Sequence, residues 1–282
     1  MQSKWWGRRP GRQGSVAVAA AAGTFVLGLL TALIGHGTGA VASTAHPGWE
    51  QSVRGGAHAE KRGGEERRTT AGHREKPAKP PVTSRALTHR TAHGGKALAL
   101  TLDDGPHPEW TPKVLDLLKS EHVKATFCLI GPNAERYPDL VKRIVAEGHR
   151  LCDHSVSHDT AMDHKPVPYQ KSQILDAKKM IDKASGGARV HYYRAPGGAF
   201  TPDSRRIAAS HGMRPLGWTA DPGDWQLPGT DAIVRRAQQQ VEPGSVLLLH
   251  DGGGNRSESY AALTQLIPWL KQQGYAFGFP ES

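Results

Sequence analysis

The sequence predicts an α/β fold over residues 96–282, a distorted or incomplete (β/α) barrel of about seven parallel strands. From Lys96 onward, short apolar runs alternate with longer segments whose apolar residues recur at helical spacing. Glycine or proline separates many of these segments. Strands that alternate with helices form a parallel sheet with the helices outside it. A doubly wound open sheet is the alternative arrangement.

The predicted elements follow directly from these apolar patterns. The predicted strands are Lys96–Asp103, Ala125–Ile130, His149–Cys152, Val190–Arg194, Met213–Thr219, Ser245–His250 and Tyr275–Phe279. The main predicted helices are a first one starting at Thr111, then Pro138–Glu147, Pro168–Ala184, Pro202–His211, Asp231–Gln240 and Tyr260–Gln273. A short helix capped by Asn133 is also expected.

The net charge of +10 belongs almost entirely to the N-terminal third of the 282-residue chain. Residues 1–95 contain 14 Lys and Arg but 5 Asp and Glu, whereas the remainder contains 22 and 21. A nearly neutral folded part argues against a nucleic-acid groove. The basic segment suits an anionic surface, such as lipid headgroups or an acidic cell-wall polymer.

Residues 1–42 have the pattern of a signal peptide or an N-terminal membrane anchor. A basic cluster comprises Lys4, Arg8, Arg9 and Arg12. An uncharged stretch from Ser15 to Gly35 follows, and Ala40-Val41-Ala42 resembles a cleavage site. The stretch is long for a signal peptide and about as long as the roughly 20 residues that span a bilayer, so cleavage and anchoring both stay open. Either outcome predicts an extracellular protein, secreted or tethered to the outer face of the membrane or cell wall.

Residues 43–95 predict a disordered basic linker. They show almost no apolar periodicity and are rich in Gly, Thr, Arg, His and Glu. Such a composition buries too little apolar surface to offset the entropy of ordering. Its histidines, His89 and His93 among them, are therefore interpreted as solvated side chains.

Titratable residues recur where the predicted strands end. These residues are Asp103-Asp104, Asp153-His154 with His158, Arg194, Asp221 with Asp224, and His250-Asp251. The carboxyl ends of barrel strands meet at one face, where catalytic side chains lie. The Asp103-Asp104-Gly105 stretch alone is typical of an ordinary turn. The convergence of five strand ends is what predicts an active site.

Three of these residues predict a metal site. His154 and His158 are four positions apart, so one helical turn would place both imidazoles on the same face. With the carboxylate of Asp104 they form a two-histidine, one-carboxylate set that suits one divalent ion. Zn²⁺ is the first expectation, with Co²⁺, Fe²⁺, Ni²⁺ or Mn²⁺ as alternatives.

Residues 96–282 resemble the polysaccharide deacetylases, the NodB-homology family 4 of carbohydrate esterases. The matching motifs are Thr101–Pro106, His154–His158, Arg194–Gly198, Asp221–Trp225 and Leu247–His250. They occur in the family's order across the whole domain. The resemblance implies a metal-dependent hydrolase that removes N-acetyl groups from an extracellular glycan, either peptidoglycan or a chitin-like polymer.

The resemblance also implies a role for each matching residue. Asp104, His154 and His158 hold the metal. Asp103 is the general base and Arg194 pairs with it. His250 is the general acid, and Asp221 raises its basicity. The backbone N–H of Gly197 stabilises the oxyanion, and Trp225, Leu248 and Pro196 line the substrate pocket.

The chain departs from the family motifs at three positions. Leu102 replaces an aromatic residue with little expected effect. Asp153 stands where Asn is usual, and we expect its extra negative charge to strengthen metal binding or raise the pKa of a ligand histidine. Gly197 replaces an aromatic residue, which is expected to open the pocket to a bulkier sugar substituent.

The two cysteines of the chain, Cys128 and Cys152, fall on neighbouring predicted strands. Oxidising surroundings outside the cell would permit a disulfide if the two Cα atoms lie close enough. We expect two packed thiols instead, because neighbouring parallel strands often set such pairs out of register.

Two other functions remain open from the sequence. O-deacetylation, as in acetylxylan esterases, needs the same machinery. An inactive glycan-binding module would keep the fold but should have lost its base or acid, and Asp103 and His250 are both present. We expect a monomer whose partner is an N-acetylated polysaccharide, with no nucleic acid and with membrane contact only through the N-terminal segment.

Overall fold

The structure, a computed structural model, describes residues 83–282. Seven strands alternate with seven α-helices along this part of the chain. The strands are β1 (Ala97–Asp103), β2 (Thr126–Leu129), β3 (Arg150–Asp153), β4 (Val190–Tyr193), β5 (Arg214–Pro215), β6 (Ser245–His250) and β7 (Ala276–Gly278). The helices are α1 (Trp110–Ser120), α2 (Gly131–Arg136), α3 (Pro138–Ala146), α4 (Val167–Ser185), α5 (Pro202–Ser210), α6 (Thr230–Gln240) and α7 (Ser257–Gln272).

All strand pairs in the sheet are parallel, in the order β5-β4-β3-β2-β1-β6, and β7 adds to the start of β1. Ala220, just beyond β5, forms a parallel bridge with Leu247 of β6. This bridge brings the two ends of the sheet together on one side. The sheet is therefore a curled, incomplete barrel covered by helices, which confirms the predicted fold class.

The two faces of each strand have different environments because successive side chains point in opposite directions. On β1, Leu98, Leu100 and Leu102 belong to the large apolar core that contains the helices. The alternate residue Ala99 belongs to a smaller cluster. That cluster consists of Ala99, Cys128, Cys152, Tyr192, Leu216 and Val246. Asp103 therefore ends β1 on the inner face of the curled sheet.

Cys128 and Cys152 form a disulfide on this inner face. The expectation of two separate thiols is wrong, because β2 and β3 pair Cys128 directly with Cys152 and the Cα atoms are 4.2 Å apart. The strands are in register at this position, which removes the reason for expecting free thiols.

Residues 83–95 pack against the rest of the folded domain, so the predicted disordered linker, 43–95, extends too far toward the C-terminus. Thr88 and Thr91 are buried, and bridges join Thr88 to Leu216 and Arg90 to Ser245. His89 hydrogen-bonds through Nδ1 to the carbonyl of Trp218 at 3.1 Å. The segment is held mainly by backbone hydrogen bonds, which leave no apolar periodicity in a sequence.

The remaining N-terminal predictions, the signal or anchor at 1–42 and the linker at 43–82, lie outside the described residues. Within residues 83–282, no helix is both long enough and apolar enough to cross a membrane.

Most predicted elements of the domain agree with the structure to within one or two residues, but three predictions differ. Helix α7 begins at Ser257 and not at Tyr260, and Asn133 lies inside α2 and does not cap it. The fifth strand is shorter than predicted. Met213–Thr219 was predicted, whereas β5 contains only Arg214–Pro215. Proline has no backbone N–H to donate to a neighbouring strand, so the ladder there is short.

Candidate active site

A pocket of about 550 Å³ opens among the ends of the strands, where the sequence predicted catalytic side chains. Its lining includes Asp103, Asp104, His154, His158, Ala195, Gly197, Trp218, Asp221, Trp225, Leu248, His250, Gly253 and Arg256. Four of the five strand ends that the sequence singled out contribute a titratable side chain to this list.

Asp104, His154 and His158 form a compact cluster in which one candidate ligand atom from each residue lies within 4.8 Å of the others. The Oδ1 atom of Asp104 is 3.2 Å from Nε2 of His158 and 3.5 Å from Nε2 of His154. Asp104 and His154 are buried, whereas His158 is partly exposed. The cluster is therefore open to the pocket on the side of His158, and a substrate could approach it from there.

The donor atoms of this cluster fit a divalent metal ion. Oδ1 of Asp104 is buried and has no hydrogen-bond partner in the protein. Nδ1 of His154 lies 2.8 Å from the carbonyl oxygen of Arg194, which can only accept, so Nδ1 carries the proton and Nε2 keeps its lone pair. Burial lowers the pKa of His154, which favours the neutral ligand form. An unsatisfied carboxylate oxygen beside an imidazole lone pair suits a cation.

The two histidines are brought together by a loop and not by the helical turn that their spacing predicted. Residues 154–158 contain no helix, and both Ser155 (φ 68°) and His158 (φ 52°) adopt left-handed backbone conformations. The imidazole centroids are 5.0 Å apart. The predicted proximity is correct, and the predicted local structure is wrong.

Asp103 is held by a buried ion pair with Arg194. Nη1 of Arg194 donates to Oδ1 of Asp103 at 2.6 Å and to the hydroxyl of Thr101 at 2.9 Å. The guanidinium is fully buried and also donates to the carbonyls of Leu216 and Gly217. Burial alone would raise the pKa of Asp103, but the charges of Arg194, His154 and His250, together with the hydrogen bond from Arg194, outweigh it and lower the pKa. Asp103 is therefore a carboxylate with one oxygen, Oδ2, left toward the metal cluster.

His250 is oriented by Asp224 and not by Asp221. Its Nδ1–H donates to Oδ1 of Asp224 at 2.7 Å, and its backbone N–H donates to Oδ2 at 2.9 Å. Ser259 also donates to Oδ2 of Asp224. The Asp221 carboxylate instead accepts from the backbone N–H of Gly223 at 2.9 Å, as in an ordinary turn. The motif contains two aspartates, and sequence reasoning selected the wrong one.

This contact changes the acidity of His250. Burial disfavours the charged imidazolium, but the hydrogen bond and charge of Asp224, with smaller contributions from Asp103 and Asp104, raise the pKa of His250 to about 9. The imidazole therefore holds a proton on Nε2 at neutral pH, at the edge of the pocket.

All but one of the residues predicted to line the pocket do line it. Trp225 and Leu248 line the pocket, and Trp225 is half-exposed at its rim. Pro196 is buried and does not line the pocket, whereas its neighbours Ala195 and Gly197 do.

Gly197 has a left-handed backbone (φ 59°), and its N–H donates to no acceptor among residues 83–282. Thr160 packs where a side chain at Gly197 would begin, with its Cβ 3.2 Å from that point, so the lost aromatic ring leaves less free space than expected.

Asp153 adds no negative charge to the group formed by Asp104, His154 and His158, contrary to the sequence prediction. Because Cys152 points to the inner face, Asp153 points toward the helices, and it is fully buried there. Burial raises the pKa of Asp153 well above its usual range, although the backbone N–H of Ser155 donates to it. A carboxyl group in this setting is favoured in its neutral form.

Asp251 and Arg256, which both follow β6, were assigned no role from the sequence. Asp251 is buried, accepts a hydrogen bond from Thr111 at 2.5 Å, and occupies the space that a side chain at Gly105 would need. Burial raises the pKa of Asp251 to about 7, with a further contribution from the charge of Asp104. Arg256 lines the pocket from the start of α7. His250 could be predicted because it ends the apolar run of β6. Arg256 follows no such run, so no sequence pattern identifies it.

Comparison with known proteins finds relatives that match this domain. The family model for polysaccharide deacetylases matches residues 90–216. The chain is 38% identical over 198 residues to a chitooligosaccharide deacetylase of Sinorhizobium fredii, covering 66% of this chain and 91% of that protein. It is 37% identical over 193 residues to a peptidoglycan-N-acetylglucosamine deacetylase of Bacillus cereus, covering 68% of this chain and 89% of that protein.

A solved structure shares the fold as well. A family 4 carbohydrate esterase pseudoenzyme from Bacillus anthracis superposes with a TM-score of 0.64 at 29% identity, covering 70% of this chain and 68% of that one. The family model, the two sequence relatives and the pocket all concern the same domain. The chain therefore belongs to the polysaccharide deacetylase family.

Proposed function

We propose that this protein is a metal-dependent N-deacetylase of an extracellular N-acetylated glycan. The observation that carries the proposal is the arrangement around one pocket of an ionised base, a cation-binding cluster and a protonated acid. These are Asp103, the cluster of Asp104, His154 and His158, and His250. An amide is hydrolysed only when the attacking water loses a proton and the leaving nitrogen gains one.

The cation site would be filled by one divalent ion, with Zn²⁺ first and Co²⁺, Fe²⁺, Ni²⁺ or Mn²⁺ as alternatives. When bound, such an ion supplies Lewis acidity, which makes water more acidic and a carbonyl more electrophilic. Asp104, His154 and His158 would hold it, as their unsatisfied donor atoms suggest.

Asp103 is the proposed general base. Arg194 engages Oδ1 and holds the carboxylate ionised, so Oδ2 remains to accept a proton from the water that attacks the acetamide carbon. The fixed orientation matters because a base acts only from within hydrogen-bond reach of its proton. The free backbone N–H of Gly197 would donate to the oxygen that becomes negatively charged.

His250 is the proposed general acid. Asp224 fixes the Nδ1–H tautomer and raises the pKa of His250 to about 9, so Nε2 still carries its proton at neutral pH. Transfer of that proton to the nitrogen lets the C–N bond break, giving acetate and a free amine on the sugar. Trp225 and Leu248 offer an apolar wall for the acetyl methyl group.

The proposed substrates are peptidoglycan and chitin-like N-acetylglucosamine oligomers, because relatives with these two names match most of the domain. The extracellular location rests on the signal-like or anchor-like pattern of residues 1–42. The basic N-terminal third suits an anionic cell wall or membrane surface.

The test is acetate release by the metal-loaded full-length protein from peptidoglycan, an N-acetylglucosamine oligomer and acetylxylan. Release from either N-acetylated substrate is expected, with loss on chelation and recovery when Zn²⁺ or Co²⁺ is restored. Release from acetylxylan alone would indicate an O-deacetylase. A metal-loaded protein that is inert on all three would instead resemble the family's pseudoenzyme, and this result would contradict the proposal.

A further inference from the structure

Arg256 is a buried cation at the pocket that the proposed reaction does not use. The residue is 5% exposed, and it lines the pocket beside Gly253. Nε donates to the carbonyl of Gly252 at 2.5 Å, and Nη2 donates to the carbonyl of Gly253 at 3.2 Å. These two bonds use one edge of the guanidinium and leave Nη1 without an acceptor in residues 83–282.

The charge of Arg256 forms no ion pair within 4.0 Å in the described part of the chain. Both of its acceptors are neutral carbonyl oxygens, and no Asp or Glu there forms an ion pair with it. Asp103 is already paired with Arg194 at 2.6 Å. A buried charge that lacks a partner is costly, and pairing it recovers much of that cost.

Asp104 does not fill this need. Both groups lie beside Gly253 without forming an ion pair: a side-chain carbon at Gly253 would be 2.5 Å from Oδ2 of Asp104 and 3.1 Å from Nη2 of Arg256. Oδ1 of Asp104 faces the two histidines, and a cation held there would take up the carboxylate's charge. The pocket side of Arg256 would then be positive and available to an anion.

We propose that Arg256 is a carboxylate-binding subsite that recognises an acidic substituent of the glycan. The lactyl ether of muramic acid carries such a group in peptidoglycan strands from which the stem peptide has been removed, whereas chitin-like polymers carry none. The free Nη1 and the outward N–H of Nη2 form the kind of planar fork that binds two carboxylate oxygens. This subsite deepens the proposed deacetylase function and rests on it.

The expected consequence is a preference for acidic over neutral substrates. A hydrogen bond to a charged group contributes enough to change binding by about tenfold or more. The preference should appear mainly in KM, because the carboxylate is not part of the amide that breaks and is bound equally before and during the reaction.

The test compares two substrates in two proteins. One substrate is a peptide-free peptidoglycan oligosaccharide with its free muramic acid carboxylate, and the other is the same oligosaccharide with that carboxylate reduced to an alcohol. The proteins are the metal-loaded full-length chain and its Arg256→Gln variant. Gln is neutral, yet its amide can still donate to the carbonyl of Gly252 or Gly253.

We expect the parent protein to favour the carboxylate substrate by about tenfold or more in kcat/KM, and the variant to lose that preference. The ratio between substrates separates recognition from folding, because a displaced 252–253 turn would slow both substrates alike. An equal preference in both proteins would overturn the subsite and leave Arg256 as a support for the turn. Weaker inhibition by acetate in the variant with an unchanged preference would assign the site to product and also overturn it.

The two proposals fail in different ways. If the parent protein deacetylates an N-acetylglucosamine oligomer but does not distinguish the two peptidoglycan substrates, the subsite is wrong and the deacetylase function stands. If it is inert on every substrate, both are wrong.

Discussion

At the scale of single residues, Asp224 controls the proton that the proposed reaction needs. Its carboxylate accepts from Nδ1 of His250 at 2.7 Å, while the Asp221 carboxylate accepts from the backbone N–H of Gly223. Because His250 acts as an acid, the rate should be high while it is protonated and should fall as the pH rises through its pKa of about 9.

Replacing Asp224 by Asn removes a charged acceptor from His250. We expect the pKa of His250 to fall toward its ordinary value, so the alkaline limb of the profile of kcat/KM against pH moves to lower pH. The loss of one charged hydrogen bond should lower kcat by about tenfold to a hundredfold. Asp221→Asn is the matched control, and its alkaline limb should stay in place. A shift with Asp221→Asn and none with Asp224→Asn would restore the assignment made from sequence.

The residue scale also shows what sequence alone could identify. Asp103, Asp104, His154 and His250 were found because they follow apolar strands or stand at ligand spacing. Asp224 and Arg256 were not assigned, since their importance depends on which neighbour each side chain reaches. The prediction for Asp153 was wrong because its charge state depends on burial. That burial depends on the face of the sheet to which the side chain points.

At the scale of elements, the glycine turn after β6 closes over the metal cluster. A side chain at Gly253 would begin 2.5 Å from Oδ2 of Asp104, whereas the same position at Gly254 has nothing within 4 Å. Both glycines have positive φ angles, 74° and 132°, so alanine strains the backbone at either place.

The comparison of Gly253→Ala with Gly254→Ala therefore isolates the contact with Asp104. Both variants should unfold somewhat more easily. Only Gly253→Ala should weaken the binding of Zn²⁺ or Co²⁺, by about tenfold or more, as changes beside metal ligands usually do. Calorimetric titration of the apo proteins measures this directly. Equal affinities in the two variants would show that the turn does not position Asp104.

The disulfide joins β2 and β3 directly below the site. We expect the double variant Cys128→Ala, Cys152→Ala to lose about 2–4 kcal/mol of unfolding free energy, because the cross-link restricts the unfolded chain. Guanidinium unfolding gives the value, and thiol titration of the denatured, unreduced parent should find no free thiol. Two titratable thiols in the parent would return the pair to the packed form expected from sequence.

At the scale of the whole molecule, the strand and helix pattern was enough to predict the barrel and the face that carries the site. Parallel strands bring their carboxyl ends together, so local motifs become neighbours without further information. The N-terminal edge of the domain was misplaced, because Thr88 and Thr91 are held by backbone pairing and not by an apolar stripe. Register likewise decided the disulfide, and register is a property of the assembled sheet.

The central claim, hydrolysis of an N-acetyl group with Asp103 as base, is tested most directly by counting both products of one reaction. Metal-loaded protein is incubated with an N-acetylglucosamine oligomer, and acetate and new primary amine are quantified together. Equal amounts of the two are expected from the parent protein. Asp103→Asn should give neither product, although it still binds metal and folds. Acetate without amine, no product from the parent on any N-acetylated glycan, or an Asp103→Asn variant of full activity would contradict the account.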